Sequence, residues 1–130
     1  MSDFTLTIDG KSVAADSTFG VINPATGQVF AQAPECSRAQ LDAAMEAASR
    51  AFRPWSRDLP ARRKSLLACA EAIKARLGEL APILTQEQGK PLAKASEELI
   101  GAAVWFQYTA SLEIPVEVVQ DDARARIEVR

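Results

Sequence analysis

With 130 residues the chain has the length of one ordinary domain, enough for roughly two thirds of its unfolded surface to be buried. Apolar residues at 48%, charged residues at 25% and a net charge of −2 describe a globular composition, without the basic excess of a nucleic-acid binder. No apolar run approaches the roughly 20 residues of a membrane span, and Met1-Ser2-Asp3 opens neither a basic nor an apolar leader, so neither nucleic acid nor membrane is an expected partner.

Phe4, Leu6 and Ile8 alternate with Thr5 and Thr7, the period of a half-buried strand, and Asp9-Gly10 predicts a tight hairpin returning through Lys11-Ser12-Val13. Two further strands are expected at 19–22 and 29–33. Between them lies Asn23-Pro24-Ala25-Thr26-Gly27, a stiff turn: Pro24 fixes its own φ, Gly27 accepts a positive φ, and the Asn and Thr side chains can bond to neighbouring backbone. Pro34 is expected to end this region. Ser37-Arg38-Ala39-Gln40 fits a capping box that starts a helix with apolar positions Leu41, Ala44, Met45, Ala48 and Phe52, and Pro54 is expected to stop it, leaving Trp55 and Ser56 in a connection.

A second helix is expected from about Pro60, with the stripe Leu66, Ala70, Ile73 and Leu77 and a stop at Gly78. A short third helix carries Leu80, Ile83 and Leu84, with Pro82 in its first turn and Gly89 at its end. The fourth runs from Pro91 to about Leu112 with Leu92, Ala95, Leu99, Ala103, Phe106 and Ala110 on one face. Gly101, Val104 and Trp105 make its second half apolar nearly all round, which implies neighbours on more sides than this chain supplies. Beyond Pro115, Val116 to Val119, a turn at Gln120-Asp121-Asp122, and alternation of Ala125, Ile127 and Val129 with Arg124, Arg126, Glu128 and Arg130 predict a hairpin with one charged face. The pattern breaks off at Arg130, so a truncated protein is expected, by an expression boundary or a protease, rather than one that ends naturally there.

The chain has no histidine, which leaves it no Ser-His-Asp or Cys-His catalysis and no His-based zinc site of its own. Its six glycines are scattered and form no phosphate-cradling loop. Cys36 and Cys69 stand far apart and read as ordinary buried or half-buried thiols, in keeping with a reducing, cytoplasmic setting. Arg62 and Arg63 open a helix where the dipole does not favour cations, so a salt bridge or a surface role is expected, and Lys90 is read as structural and solvated.

Several markers occur in order: Ile8-Asp9-Gly10-Lys11, Asn23-Pro24-Ala25-Thr26-Gly27, Ala51-Phe52 with Trp55-Ser56, the Leu66-Leu67 helix, Glu87-Gln88-Gly89-Lys90-Pro91, Glu98, and Trp105-Phe106-Gln107-Tyr108-Thr109-Ala110. No one of them is specific, but the ordered set resembles the N-terminal quarter of an NAD(P)-dependent aldehyde dehydrogenase, from about Thr5 to Arg130. Gln88 and Thr109 depart from residues common in that family, Thr and Tyr respectively. The resemblance implies an α/β fold: the N-terminal portion of a Rossmann-type cofactor domain, seen as short hairpins, about four helices and a terminal hairpin. Residues 1–115 would belong to the cofactor domain, and 116–130 would begin an arm that pairs with a neighbouring subunit in a homo-oligomer.

The resemblance also implies oxidation of an aldehyde to a carboxylic acid with NAD or NADP, through a cysteine nucleophile and a glutamate base that lie beyond this segment. No catalytic or cofactor-binding residue is assigned here, and the chain alone is expected to bind no cofactor and to be inactive. By the same resemblance Glu98, with backbone carbonyls of Val21, Ile22 and Asn23, would hold a monovalent cation, the alternative being an ordinary helix-to-loop hydrogen bond. Trp105 and Tyr108 would border a substrate tunnel, the alternative being plain packing. A stand-alone helical interaction module without activity is the competing reading of the whole chain.

Overall fold

The computed structural model describes residues 4–113 and 115–129. Expectations resting on Met1 to Asp3 and on Arg130 lie outside the described residues. In chain order come β1 (Leu6–Ile8), β2 (Lys11–Val13), β3 (Ser17–Asn23), β4 (Gln28–Glu35), α1 (Arg38–Arg57), α2 (Leu59–Ala75), α3 (Leu77–Gln88), α4 (Leu92–Ser111), β5 (Glu117–Asp121) and β6 (Arg126–Val129). The strands form three separate antiparallel hairpins, β1–β2, β3–β4 and β5–β6.

Asp9 and Gly10 both take positive φ, 53° and 71°, the backbone of a two-residue turn whose twist matches its strands. In the β3–β4 turn the Asn23 carbonyl accepts the amides of Gly27 at 2.8 Å and Thr26 at 3.2 Å. The Asn23 side chain accepts from Ala25 N at 2.9 Å, Thr26 Oγ1 accepts from Gln28 N at 3.3 Å, and Gly27 sits at φ 69°. Pairing passes from Val21↔Ala31 to Ile22↔Val29, so Phe30 is the extra residue of a β-bulge. Pro34 does not end β4, which runs on to Glu35, with Pro34 opposite Thr18. β4 has only one partner strand, so Pro34 sits on an edge strand, where a missing amide is tolerated.

The capping box of α1 forms as the sequence predicts: Ser37 Oγ accepts from Gln40 N at 3.3 Å and Gln40 Oε1 from Ser37 N at 3.0 Å. Pro54 does not stop α1. The helix runs on to Arg57, taking in Trp55 and Ser56, and Asp58 alone joins it to α2. Beyond the proline, the Arg62 guanidinium donates from one nitrogen to the carbonyls of Trp55 and Ser56, both at 2.8 Å, which the last turn of α1 leaves without helical partners. Gly78 is no stop either. Only Gly10, Gly27 and Gly89 take the positive φ that a glycine cap requires. The single residue Arg76 joins α2 to α3, placing Gly78 early in α3 and Pro82 in its interior rather than its first turn. At the other end Gly89 ends α3 in the left-handed conformation, as expected. The last hairpin turns at Asp122 to Arg124 rather than at Gln120-Asp121-Asp122, because β5 runs on to Asp121 with a bulge at Val119.

Helix α4 packs on α2 and α3 through a seam of small residues. The buried residues among those described are Ala47, Ala70, Ala81, Ala95, Ala103 and Ala110, with no larger side chain fully buried. Alanine lets helix backbones approach closely, but it removes little apolar area from water. The chain exposes 9952 Å², where a compact protein of 14.0 kDa exposes about 6,700 Å². It therefore buries about half, not two thirds, of its unfolded surface. The stripe of α1 shows why: Leu41, Met45 and Phe52 all face outward.

Candidate functional site

Two neighbourhoods hold the residues that the sequence singles out. The first lies where the Asn23–Gly27 turn meets the end of α3. Gly89 approaches the ring of Pro24 so closely that a Cβ on it would lie 2.8 Å from Pro24 Cγ, so the two strongest sequence markers touch. The next residue, Lys90, is not freely solvated. Its side chain is 24% exposed and its ammonium donates to Glu98 Oε2 on the second turn of α4. Glu98 thus makes a helix-to-loop bond, with Lys90 as the loop partner. The Asn23 carbonyl already accepts two amides. No cluster of three or more Cys, Asp or Glu side chains suited to a metal occurs among the described residues.

The second neighbourhood is the outer face of α4. Trp105 is 67% exposed and Tyr108 54%, and their rings meet edge to face at 5.8 Å. Ile100 and Val104 extend this exposed apolar surface along the helix. Trp105 and Phe106 also edge a shallow hollow of about 370 Å³ with Leu66, Ala102 and Thr109, which Tyr108 does not line. The expected all-round apolar half of α4 is therefore covered on the side of Ala95, Ala103 and Ala110 and open on the other.

Among the described residues, neither arginine at the start of α2 makes a salt bridge. Arg62 caps the end of α1, and Arg63 Nη2 donates to the Leu112 carbonyl at the end of α4 at 2.8 Å. Both cations therefore sit at the negative ends of other helices rather than serving their own. The signal for this was present in the sequence, because two cations placed where their own dipole disfavours them point to work elsewhere. Cys36 and Cys69 are free, but exposed rather than buried. The resolved pKa shifts lie away from both neighbourhoods. The Arg76 guanidinium holds Glu79 below the usual carboxylate range, and the Arg124 amide, then the Gln120 side chain and the Ala125 amide, do the same for Asp122. No helix among the described residues is long and apolar enough to cross a membrane.

Comparison with known proteins gives a consistent picture. The model of the aldehyde dehydrogenase family matches residues 12–123. A probable aldehyde dehydrogenase of Pseudomonas sp is 44% identical over 97% of this chain and 26% of its own length. The 3-sulfolactaldehyde dehydrogenase of Pseudomonas putida is 41% identical over 94% of this chain and 26% of its own. The fold superposes on betaine aldehyde dehydrogenase of Staphylococcus aureus, solved with NAD+, with a TM-score of 0.83 and 28% identity over 92% of this chain and 26% of that one. The chain thus spans about a quarter of the length of the relatives it matches. It belongs to the aldehyde dehydrogenase family.

Proposed function

We propose that this chain contributes the outer hairpins and helices of the cofactor domain in an enzyme that oxidises an aldehyde to a carboxylic acid with NAD or NADP. The observation that carries this reading is the family match over residues 12–123. In this reading residues 1–115 belong to the cofactor domain and 116–130 open an arm toward a neighbouring subunit. The chemistry is supplied by the rest of the protein. The segment has no histidine, and among the described residues neither of its thiols is hydrogen-bonded to a titratable side chain.

Trp105 and Tyr108 are proposed as one wall of the substrate passage, a role supported by their exposure on the uncovered face of α4. A monovalent cation held by Glu98 with the carbonyls of Val21, Ile22 and Asn23 would have to displace the Lys90 ammonium.

The test compares residues 1–130 with the protein from the complete reading frame, following reduced nicotinamide by absorbance over a panel of aldehydes and semialdehydes. Turnover by the longer protein and none by residues 1–130 is expected. Activity of the short chain freed of longer contaminants, or a folded longer protein inert with both cofactors, would overturn the proposal.

A further inference from the structure

The two arginines that open α2 close different helices. Arg62 Nη1 donates to the carbonyls of Trp55 and Ser56 at the end of α1, and Arg63 Nη2 to the Leu112 carbonyl at the end of α4, each at 2.8 Å. Helix α4 has no cation of its own for this task. Its last turn carries no basic residue, so the charge that answers its negative end comes from α2, 49 residues earlier. Arg63 Nε is buried, so the side chain is enclosed as far as its guanidinium and does not sweep through water. Because α2 packs on α4, the bond ties the Leu112 carbonyl to two helices rather than one.

Leu112 is where the chain leaves the helices. Its backbone is extended, at φ −65° and ψ 137°, and the short link 113–116 leads from it to the β5–β6 hairpin. Among the described residues that hairpin pairs with no other strand, and no helix packs broadly against it. Its direction is therefore set at its root. Pro115 stiffens the link by fixing one φ.

We propose that Arg63 is a positioning residue for subunit association. Its bond to the Leu112 carbonyl fixes the direction in which the β5–β6 hairpin leaves α4, so that the hairpin meets a second copy of this protein already aimed. The inference rests on the reading of 116–130 as an arm between subunits. Association carries the cost of ordering whatever is loose beforehand, and an anchored root removes part of that cost. The gain is bounded by the worth of the bond itself, so an effect of about tenfold on association is expected for one hydrogen bond from a charged donor.

Dissociation of the complete protein on dilution, followed by light scattering, tests this. Arg63→Gln should raise the concentration at which the oligomer dissociates by about tenfold. Arg62→Gln is the control, because it removes bonds of the same kind one residue away, at the end of α1. It should lower the urea midpoint as much as Arg63→Gln does while leaving dissociation unchanged. Two glycines inserted after Glu113 leave Arg63 in place but loosen the root. They should weaken association as Arg63→Gln does, which decides the matter if that variant fails to fold. Val119→Pro separates the two levels of the argument. If it leaves dissociation unchanged, the arm reading fails and the role of Arg63 fails with it. If Val119→Pro promotes dissociation while folded Arg63→Gln or the insertion does not, or if Arg62→Gln promotes it as much as Arg63→Gln, the arm stands and the role of Arg63 is overturned.

Discussion

Gly89 does two things at once. It takes φ 74°, which ends α3, and it leaves room for the ring of Pro24. Gly27 has a similar φ of 69° but open space around it. Replacing each by alanine in the complete protein therefore separates conformational strain from contact. Gly27→Ala should cost about 1 kcal/mol, and Gly89→Ala distinctly more, about 2–4 kcal/mol, because a Cβ there must also push Pro24 away. Urea unfolding midpoints check this, and equal losses would mean that Pro24 yields freely.

Asp122 carries a pH dependence of known sign. Its carboxylate accepts the amides of Arg124 at 2.7 Å and Ala125 at 3.1 Å, and these bonds lower its folded pKa. A depressed carboxylate stabilises above its unfolded pKa, and that contribution is lost as pH falls through the folded value. Order in the β5–β6 turn should accordingly persist at neutral pH and fade on acidification below the usual carboxylate range. Following the Arg124 and Ala125 amides by NMR measures this, and Asp122→Ala should show the acid-like spectrum at neutral pH.

Among the elements, local chemistry was most legible where a single side chain decides the outcome. The capping box at Ser37, the Asp9-Gly10 hairpin and the glycine stop at Gly89 could all be read directly from sequence, because each satisfies backbone groups within a few residues. Ser37→Ala should destabilise the protein by about 1 kcal/mol through the loss of the first of these. Helix ends that depend on distant groups could not be read. Pro54 lies within α1 and Pro82 within α3, and α1 is finished by Arg62 from the next helix.

Among the described residues the β5–β6 hairpin pairs only with itself and leaves Val118, Val119, Ile127 and Val129 exposed, so its edges are open to a further strand. If this arm joins subunits, Val119→Pro and Ile127→Lys in the complete protein should lower the mass found by light scattering. An unchanged mass for both variants would remove the arm from the interface.

At the scale of the molecule, the core of alanines and the exposed stripes of α1 and α4 describe a surface much larger than a chain of this size presents when compact. Residues 1–130 on their own should therefore bind a hydrophobic dye such as ANS and unfold at low urea with a shallow slope, whereas the complete protein should do neither. A sharp transition at high urea with no dye binding would show that this segment is self-sufficient.

The sequence by itself determined the order and kind of the elements and the turn chemistry, which follow from residue type and spacing over short range, and its ordered markers carried the resemblance to the family. The tertiary structure decided that Gly89 meets Pro24, that Lys90 reaches Glu98, and that Arg62 and Arg63 close other helices. Each of these joins residues on different elements, and a contact across space is set by how helices and hairpins pack rather than by the pattern along any one of them.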